Sequence, residues 1–285
     1  MQTGSSGFGI YAKIAHDIIA GRASLPNLPD AALRIRRAMQ DPDCDLARME
    51  SIIKTDAGLS GYLIQMANSP MYRGWLATKD LKRALSLFGM EMTRNLCLGY
   101  SLRAMFRARD PQLKALLMDH WKRSAHRAAF CAVLAGQVRR ISPDRALLAG
   151  LLQEIGMPLL YVRLENNPEA LSNPQILQDL EEAFCATISL TLLASWGLDT
   201  ELQEVARSRH DWSREHRGKA DLADVVMLVN LHELRLENDP TRYLPEMQSL
   251  PAYEKIDPGP VSAQGTLVVL DESVDIAAIE ATMTG

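Results

Sequence analysis

The sequence predicts an all-α protein. Apolar residues recur at helical spacing from near the start to about residue 237, and convincing alternating strands are missing. Hydrophobic residues make up 47% of the chain and charged residues 23%, ordinary globular composition that can bury a sizeable core.

Each element has its own signals. Residues 10–20 place Ile10, Ile14, Ile18 and Ile19 on related faces, with Gly21 as a stop. Leu25-Pro26-Asn27-Leu28-Pro29 reads as a stiff, extended entry to the next helix. Asp45 is placed to cap a helix carrying Leu46, Met49, Ile52 and Ile53. A further helix after Asp56 carries Leu59, Leu63, Met66 and Ala67 and ends at Asn68-Ser69-Pro70, where proline forbids simple continuation. Residues 80–106 read as a helix pair broken at Gly89. Asp110-Pro111 begins one long helix or two over 111–140, in which Ala125, Ala128, Ala129 and Ala132 permit close helix approach. Ser142-Pro143-Asp144 combines a cap, a proline at the first helical position and an acid facing the dipole. Asn173-Pro174 starts a long helix that ends at Trp196-Gly197, and Thr200-Glu201-Leu202-Gln203 fits a capping box.

Residues 221–237 form the last regular helix, and Pro240, Pro245, Pro251, Pro258 and Pro260 then punctuate a polar stretch. One short strand is expected over Thr266-Leu267-Val268-Val269-Leu270 and a short helix from Val274 to Ala281. The expected division is a leader and helix (1–23), a domain of two packed halves (24–110 and 111–237), and an irregular tail (238–285). That tail could wrap the domain, pair with another chain, or move.

Composition excludes several function classes. A net charge of −4 gives no general attraction to phosphate backbones, which argues against nucleic acid as a partner. Arg34, Arg36 and Arg37, then Arg103, Arg107 and Arg109, then Arg139 and Arg140, form three basic knots with acids scattered between them. A solvated helix surface is the first reading of these knots. An anionic ligand such as a cyclic dinucleotide is the rival, with no residue pattern in its support. The longest unbroken apolar runs, such as Ala146 to Leu152, fall far short of a membrane span. The start, MQTGSSGFGIYAK, lacks the layout of a secretory signal, so a cytoplasmic protein without a membrane segment is expected. Cys44, Cys97, Cys131 and Cys185 include no C-x-x-C pair and are expected to be buried free thiols. Ser69 and Ser124 lack the strained turn of a nucleophile, and the Gly-Ser-Ser-Gly-Phe-Gly start is no phosphate loop.

Within Ala149-Gly150-Leu151-Leu152-Gln153-Glu154-Ile155-Gly156 an amide and a carboxylate stand in an apolar helical run, and burying that pair is costly unless both find partners. The run resembles the G-L-L-H-D-I-G helix of the HD phosphohydrolases, whose His and Asp bind metal. Other segments follow in a consistent order: the Leu25-to-Pro29 entry, Ile52-Ile53-Lys54-Thr55-Asp56-Ala57-Gly58-Leu59, Ala67-Asn68-Ser69-Pro70, Ala84-Leu85-Ser86-Leu87-Phe88-Gly89, Trp121-Lys122-Arg123-Ser124 and Leu193-Ala194-Ser195-Trp196-Gly197-Leu198. Together they resemble the HDOD domain, a bacterial relative of the HD hydrolases, over about residues 24–235.

The resemblance implies a multi-helical HD-like bundle and a site at which metal ligands have been replaced. Arg123 stands where the family layout puts its first His, Gln153 and Glu154 at the His-Asp pair, Cys185 at a third His, His210 at a following His, and Asn230 at the late Asp. Metal-assisted phosphoryl chemistry needs converging imidazoles and carboxylates, and a guanidinium keeps its proton and repels a cation. No catalytic residue, metal or cofactor is therefore expected. The implied function is a regulatory or interaction module of bacterial signalling, with a protein partner or a second copy of itself. The rivals are a metal-dependent phosphohydrolase and a nucleotide or small-anion sensor using the vacated pocket.

Two readings of the site stay open: Arg123 pairs with Glu154 where the metal was, or each reaches solvent or other partners. His126, three residues from Arg123, nearly keeps its helix face and is an alternative ligand. His120 and His126 fall on different faces. The segment from His210 to His216 reads as a solvated loop, His232 as a hydrogen-bonded core histidine and His16 as a surface residue.

Overall fold

The computed structural model describes residues 4–72, 77–138, 140–240 and 242–284, without the side chains of 4–8 and 10, so Arg139 and the Ile10 side chain lie outside the described residues. Fifteen α-helices follow in chain order among them. They are α1 (Gly4–Ile19), α2 (Asp30–Met39), α3 (Leu46–Ile53), α4 (Ala57–Ala67), α5 (Leu81–Leu102), α6 (Pro111–Gly136), α7 (Pro143–Leu152) and α8 (Gly156–Arg163). Then come α9 (Pro168–Leu171), α10 (Pro174–Ser195), α11 (Thr200–Ser208), α12 (Leu222–Glu237), α13 (Pro251–Ile256), α14 (Val268–Asp271) and α15 (Asp275–Thr284).

Acid and amide side chains cap seven of the fifteen helices at their N-termini. Asp45, Asp56, Asp110 and Asn173 each accept a backbone N–H from the first turn of the helix they precede. Gly89, at φ 69°, breaks α5 where the sequence places the break, and α6 is one helix. Two expected caps differ. Asp199, one residue before Thr200, accepts the Leu202 N–H at 3.2 Å and takes the capping role itself. Ser142 makes no cap bond; its hydroxyl turns to Asp144, which is buried and accepts the Asn95 amide at 2.8 Å.

The proline-rich entry is tied across the fold, since the Trp196 indole N–H donates to the Pro26 carbonyl at 2.8 Å and Arg36 donates to the Trp196 carbonyl. Asn68 closes α4 by bonding both the carbonyl and the N–H of Thr78, at 2.7 Å each. The segment Pro143–Arg163 has a mean hydropathy of 1.2 over its most apolar window, yet that window is 89% buried in protein. It is a core segment, interrupted between α7 and α8 by a turn at Gln153 and Glu154.

Two glycines clamp that bend. A Cβ on Gly150 would lie 2.6 Å from the Ala128 Cα of α6, and one on Gly156 would lie 2.6 Å from the Ser189 nitrogen of α10. The Gly156 N–H also donates to the Ser189 hydroxyl at 2.9 Å. The small residues at each end bring the Gln153-Glu154 turn hard against both helices, and this positions the site.

The tail differs from the expected strand and irregular chain. Leu267 makes a single antiparallel bridge with Val261, and residues 268–271 coil into α14. The Leu267 N–H is taken by His232 Nδ1 at 3.0 Å, so it has no ladder to join. Met247, Leu250, Ile256, Leu270, Ile279 and Met283 are buried, and α15 packs on α6 and α4.

Gly150→Ala is expected to lower unfolding stability by about 1–3 kcal/mol or more, because backbone must move to admit the methyl group. Gly136→Ala, with open space around it, should be neutral or stabilising by up to about 1 kcal/mol. Urea unfolding of the two variants checks the contrast.

Candidate functional site

Glu154 is 4% exposed, and two guanidiniums hold it. Arg127 from α6 pairs with one carboxylate oxygen, and Arg209, at the end of α11, donates to the other at 2.7 Å. Arg127 also bonds Glu233 of α12, and Arg209 stands 3.8 Å from Glu181 of α10. One buried ionic network therefore joins α6, α10, α12 and the end of α11 to the α7–α8 bend. Burial alone would push the Glu154 pKa up, but the charges of Arg127 and then Arg209 outweigh it and hold the carboxyl well below the usual range. Glu181 is raised by burial and then by the Glu154 charge. Burial also raises Glu233, against the pull of Arg127.

The amides form a second link. Asn230 donates to Gln153 Oε1 at 2.7 Å and to the Arg209 carbonyl at 3.0 Å. Both acceptors fix the Asn230 amide orientation, and hence that of Gln153. Cys185 is buried, its Sγ 3.9 Å from the Ser189 hydroxyl, and burial pushes its thiol up to about 12. His210 sits at the rim with its ring stacked on Trp212, centroids 5.3 Å apart, and one nitrogen 3.5 Å from Arg209. Arg123, His210 and Asn230 line a cleft of about 650 Å³ together with Arg127, Arg209 and Glu181. Gln153, Glu154 and Cys185 are buried and absent from its lining.

Arg123 does not pair with Glu154. It is half exposed and faces Asp119, one turn back on α6, at 3.7 Å. Arg127 takes the inner position because it falls one turn later on the same helix, where only 14% of its side chain is exposed. Arg127 and Arg209 are the residues that sequence reasoning missed. The signal for the first was its spacing of four from Arg123, and for the second its place beside His210. His126 is no substitute ligand, since its Nδ1 lies 2.9 Å from Glu280 of α15.

The segment from His210 to His216 is more than a solvated loop. Arg214, 9% exposed, bonds Asp221 at 2.6 Å and Asp224 at 3.0 Å, and His216 Nε2 lies 2.9 Å from Asp224. His216, Asp221 and Asp224 are close enough to share an ion, but the Arg214 guanidinium already bridges both carboxylates. His232 is a core histidine, bonded through Nδ1, and His16 is exposed, as the sequence suggests.

The residues at the former ligand positions do not fit a metal. The one buried carboxylate is neutralised by two fixed cations, and Gln153 spends its carbonyl oxygen on Asn230, leaving an N–H₂ group that repels a metal ion.

Family and structural comparisons agree on what this framework is. The model of the HDOD domain matches residues 25–212. The chain belongs to the HDOD family. An uncharacterised protein of Treponema pallidum (strain Nichols) is 24% identical over 258 residues; the match takes in 86% of this chain but 48% of that protein, so the chain spans about half its length. Among solved structures, a protein of Shewanella amazonensis SB2B provisionally named a metal-dependent phosphohydrolase superposes with a TM-score of 0.78 at 19% identity, over 97% of each chain. An HDOD domain protein of unknown function from Geobacter sulfurreducens gives 0.64 at 18% identity, over 96% of this chain and 97% of that one. A protein of Marinobacter aquaeolei VT8 provisionally named for signal transduction gives 0.61 at 18% identity, over 98% and 66%. These likenesses establish the all-α HDOD fold.

Glu154→Gln would leave Arg127 and Arg209 facing a neutral amide in a buried site. The expected cost is about 3–5 kcal/mol of unfolding stability. Because the native pKa of Glu154 is depressed, its contribution is fully present above the unfolded carboxylate pKa. It is lost as pH falls through the depressed native value. The difference between wild type and variant should therefore be flat from about pH 5 to 8 and shrink only in stronger acid. Denaturant melts across pH check both.

Proposed function

We propose that this HDOD chain is a non-catalytic regulatory module of bacterial signal transduction, acting in the cytoplasm by presenting its surface to protein partners, a second copy of itself included. The observation that carries the reading is the shared Glu154 carboxylate: the acid that could ligate a metal is bonded to Arg127 and Arg209. A hydrolytic centre at this place would need the opposite electrostatics, an acid-rich cradle able to accept a cation and activate its water. The Arg123, Gln153, Glu154, Cys185, His210 and Asn230 positions read as a remnant pocket in which guanidinium charge has replaced metal charge. The signal-transduction name of the Marinobacter protein belongs to a chain 18% identical and carries no weight on the site. The phosphohydrolase name of the Shewanella protein belongs to a chain 19% identical, a likeness that reaches the fold and not the site.

Elemental analysis of protein purified without chelator tests this directly. The expected result is far less than one equivalent of iron, manganese or zinc and no turnover of a phosphodiester substrate. Stoichiometric metal accompanied by phosphodiesterase activity would overturn the reading.

A further inference from the structure

A second cleft, of about 760 Å³, opens where the start of α2, the end of α5 and the start of α6 meet. It shares no lining residue with the remnant pocket. Two arginines of one basic knot, Arg103 and Arg107, line it, and α6 adds Lys114 from the far side of the Asp110-Pro111 turn. Tyr100, one turn before Arg103, lines it too.

Two acids share the lining, and both are met locally. Asp56 spends its carboxylate on the Leu59 N–H at 2.9 Å as the cap of α4. Asp30 stands in the first turn of α2, whose start has no side-chain cap. Each acid therefore faces the partial positive charge of a helix start, which offsets it. Arg103 closes α5 and donates to the Thr284 carbonyl at 3.1 Å, so helix carbonyls meet part of its charge.

Nothing comparable meets Arg107 and Lys114. Among the described residues neither side chain makes an ion pair or a hydrogen bond. Lys114 is also the fourth residue of α6, where the partial charge of its own helix has the same sign. The cleft thus keeps a positive excess in a chain whose net charge is −4. Residues 24–110 carry the same bias, with 13 Lys and Arg against 9 Asp and Glu. A concave site concentrates the field of such unpaired cations on whatever enters it.

We propose that this cleft binds a small, soluble, phosphate-bearing anion, held by Arg107 and Lys114 with Arg103 beside them. Guanidinium and ammonium groups supply charge-assisted hydrogen bonds to phosphate oxygens, and the Tyr100 hydroxyl is a further donor. The site lies apart from Glu154 and its arginines, so it goes beyond the regulatory reading and does not depend on the remnant pocket.

Isothermal titration of the full chain with inorganic pyrophosphate at low salt tests the assignment. Vesicles containing phosphatidic acid, a membrane source of the same phosphate chemistry, are titrated alongside. Pyrophosphate is expected to bind, and to bind more weakly as salt rises. Arg107→Gln and Lys114→Gln, both at exposed positions that the fold does not need, should each weaken it by about tenfold or more. Lys122→Gln, exposed and outside both clefts, should leave it unchanged. Absence of pyrophosphate binding, affinity unaltered by both cleft variants, an equal loss from Lys122→Gln, or tighter binding of the vesicles would overturn the proposal. Metal content and phosphodiesterase activity bear on the regulatory reading alone, so the two conclusions fail separately.

Discussion

A single carboxylate, that of Glu154, is buried between Arg127 and Arg209, and the packing around it follows from the need to keep those charges paired. Stripping ions of water costs several kcal/mol each, and the cost is recovered only where the geometry is good and the remaining hydrogen-bonding groups are met. Here the partners come from different helices: Arg127 from α6, Arg209 from the end of α11, Glu181 from α10 and Glu233 from α12. Any helix that shifts leaves a charge unpaired. The close approach at Gly150 and Gly156 serves the same end, because a methyl group at either would push the Glu154 turn away from α6 or α10. Ion pairing and glycine packing thus constrain one bend from two sides.

Much of the fold is legible in the sequence because its signals are local. Asp45, Asp56, Asp110 and Asn173 cap the helices they precede, and Gly89 breaks α5, all within a few residues of chain. Where local signals compete, the sequence is ambiguous: Asp199 and Thr200 both suit a cap, and the residue whose side chain meets the Leu202 N–H takes the role. The tail misleads for a different reason. Thr266 to Leu270 has strand-like composition, but it keeps only a single bridge, between Leu267 and Val261, and the Leu267 N–H goes to the His232 ring, far away in sequence.

The site is legible in kind and not in detail. Motif order locates Gln153 and Glu154 and indicates that an acid there wants a cation. It cannot choose between Arg123 and Arg127, which stand one helical turn apart, because the choice depends on how deeply α6 is seated against α12. Arg209 is hidden by the same limit, since it reaches Glu154 across 55 residues of chain. The consequence for function is electrostatic: the former metal position is occupied by fixed charge, the guanidiniums of Arg127 and Arg209 on Glu154.

A double-mutant cycle between Arg127→Met and Glu154→Gln tests the central claim most directly, with unfolding free energies measured for all four proteins. If the guanidinium stands in for metal charge on Glu154, the two changes are coupled by at least about 1 kcal/mol, the double variant losing much less than the sum of the singles. Losses that add within roughly 0.5 kcal/mol would contradict the account.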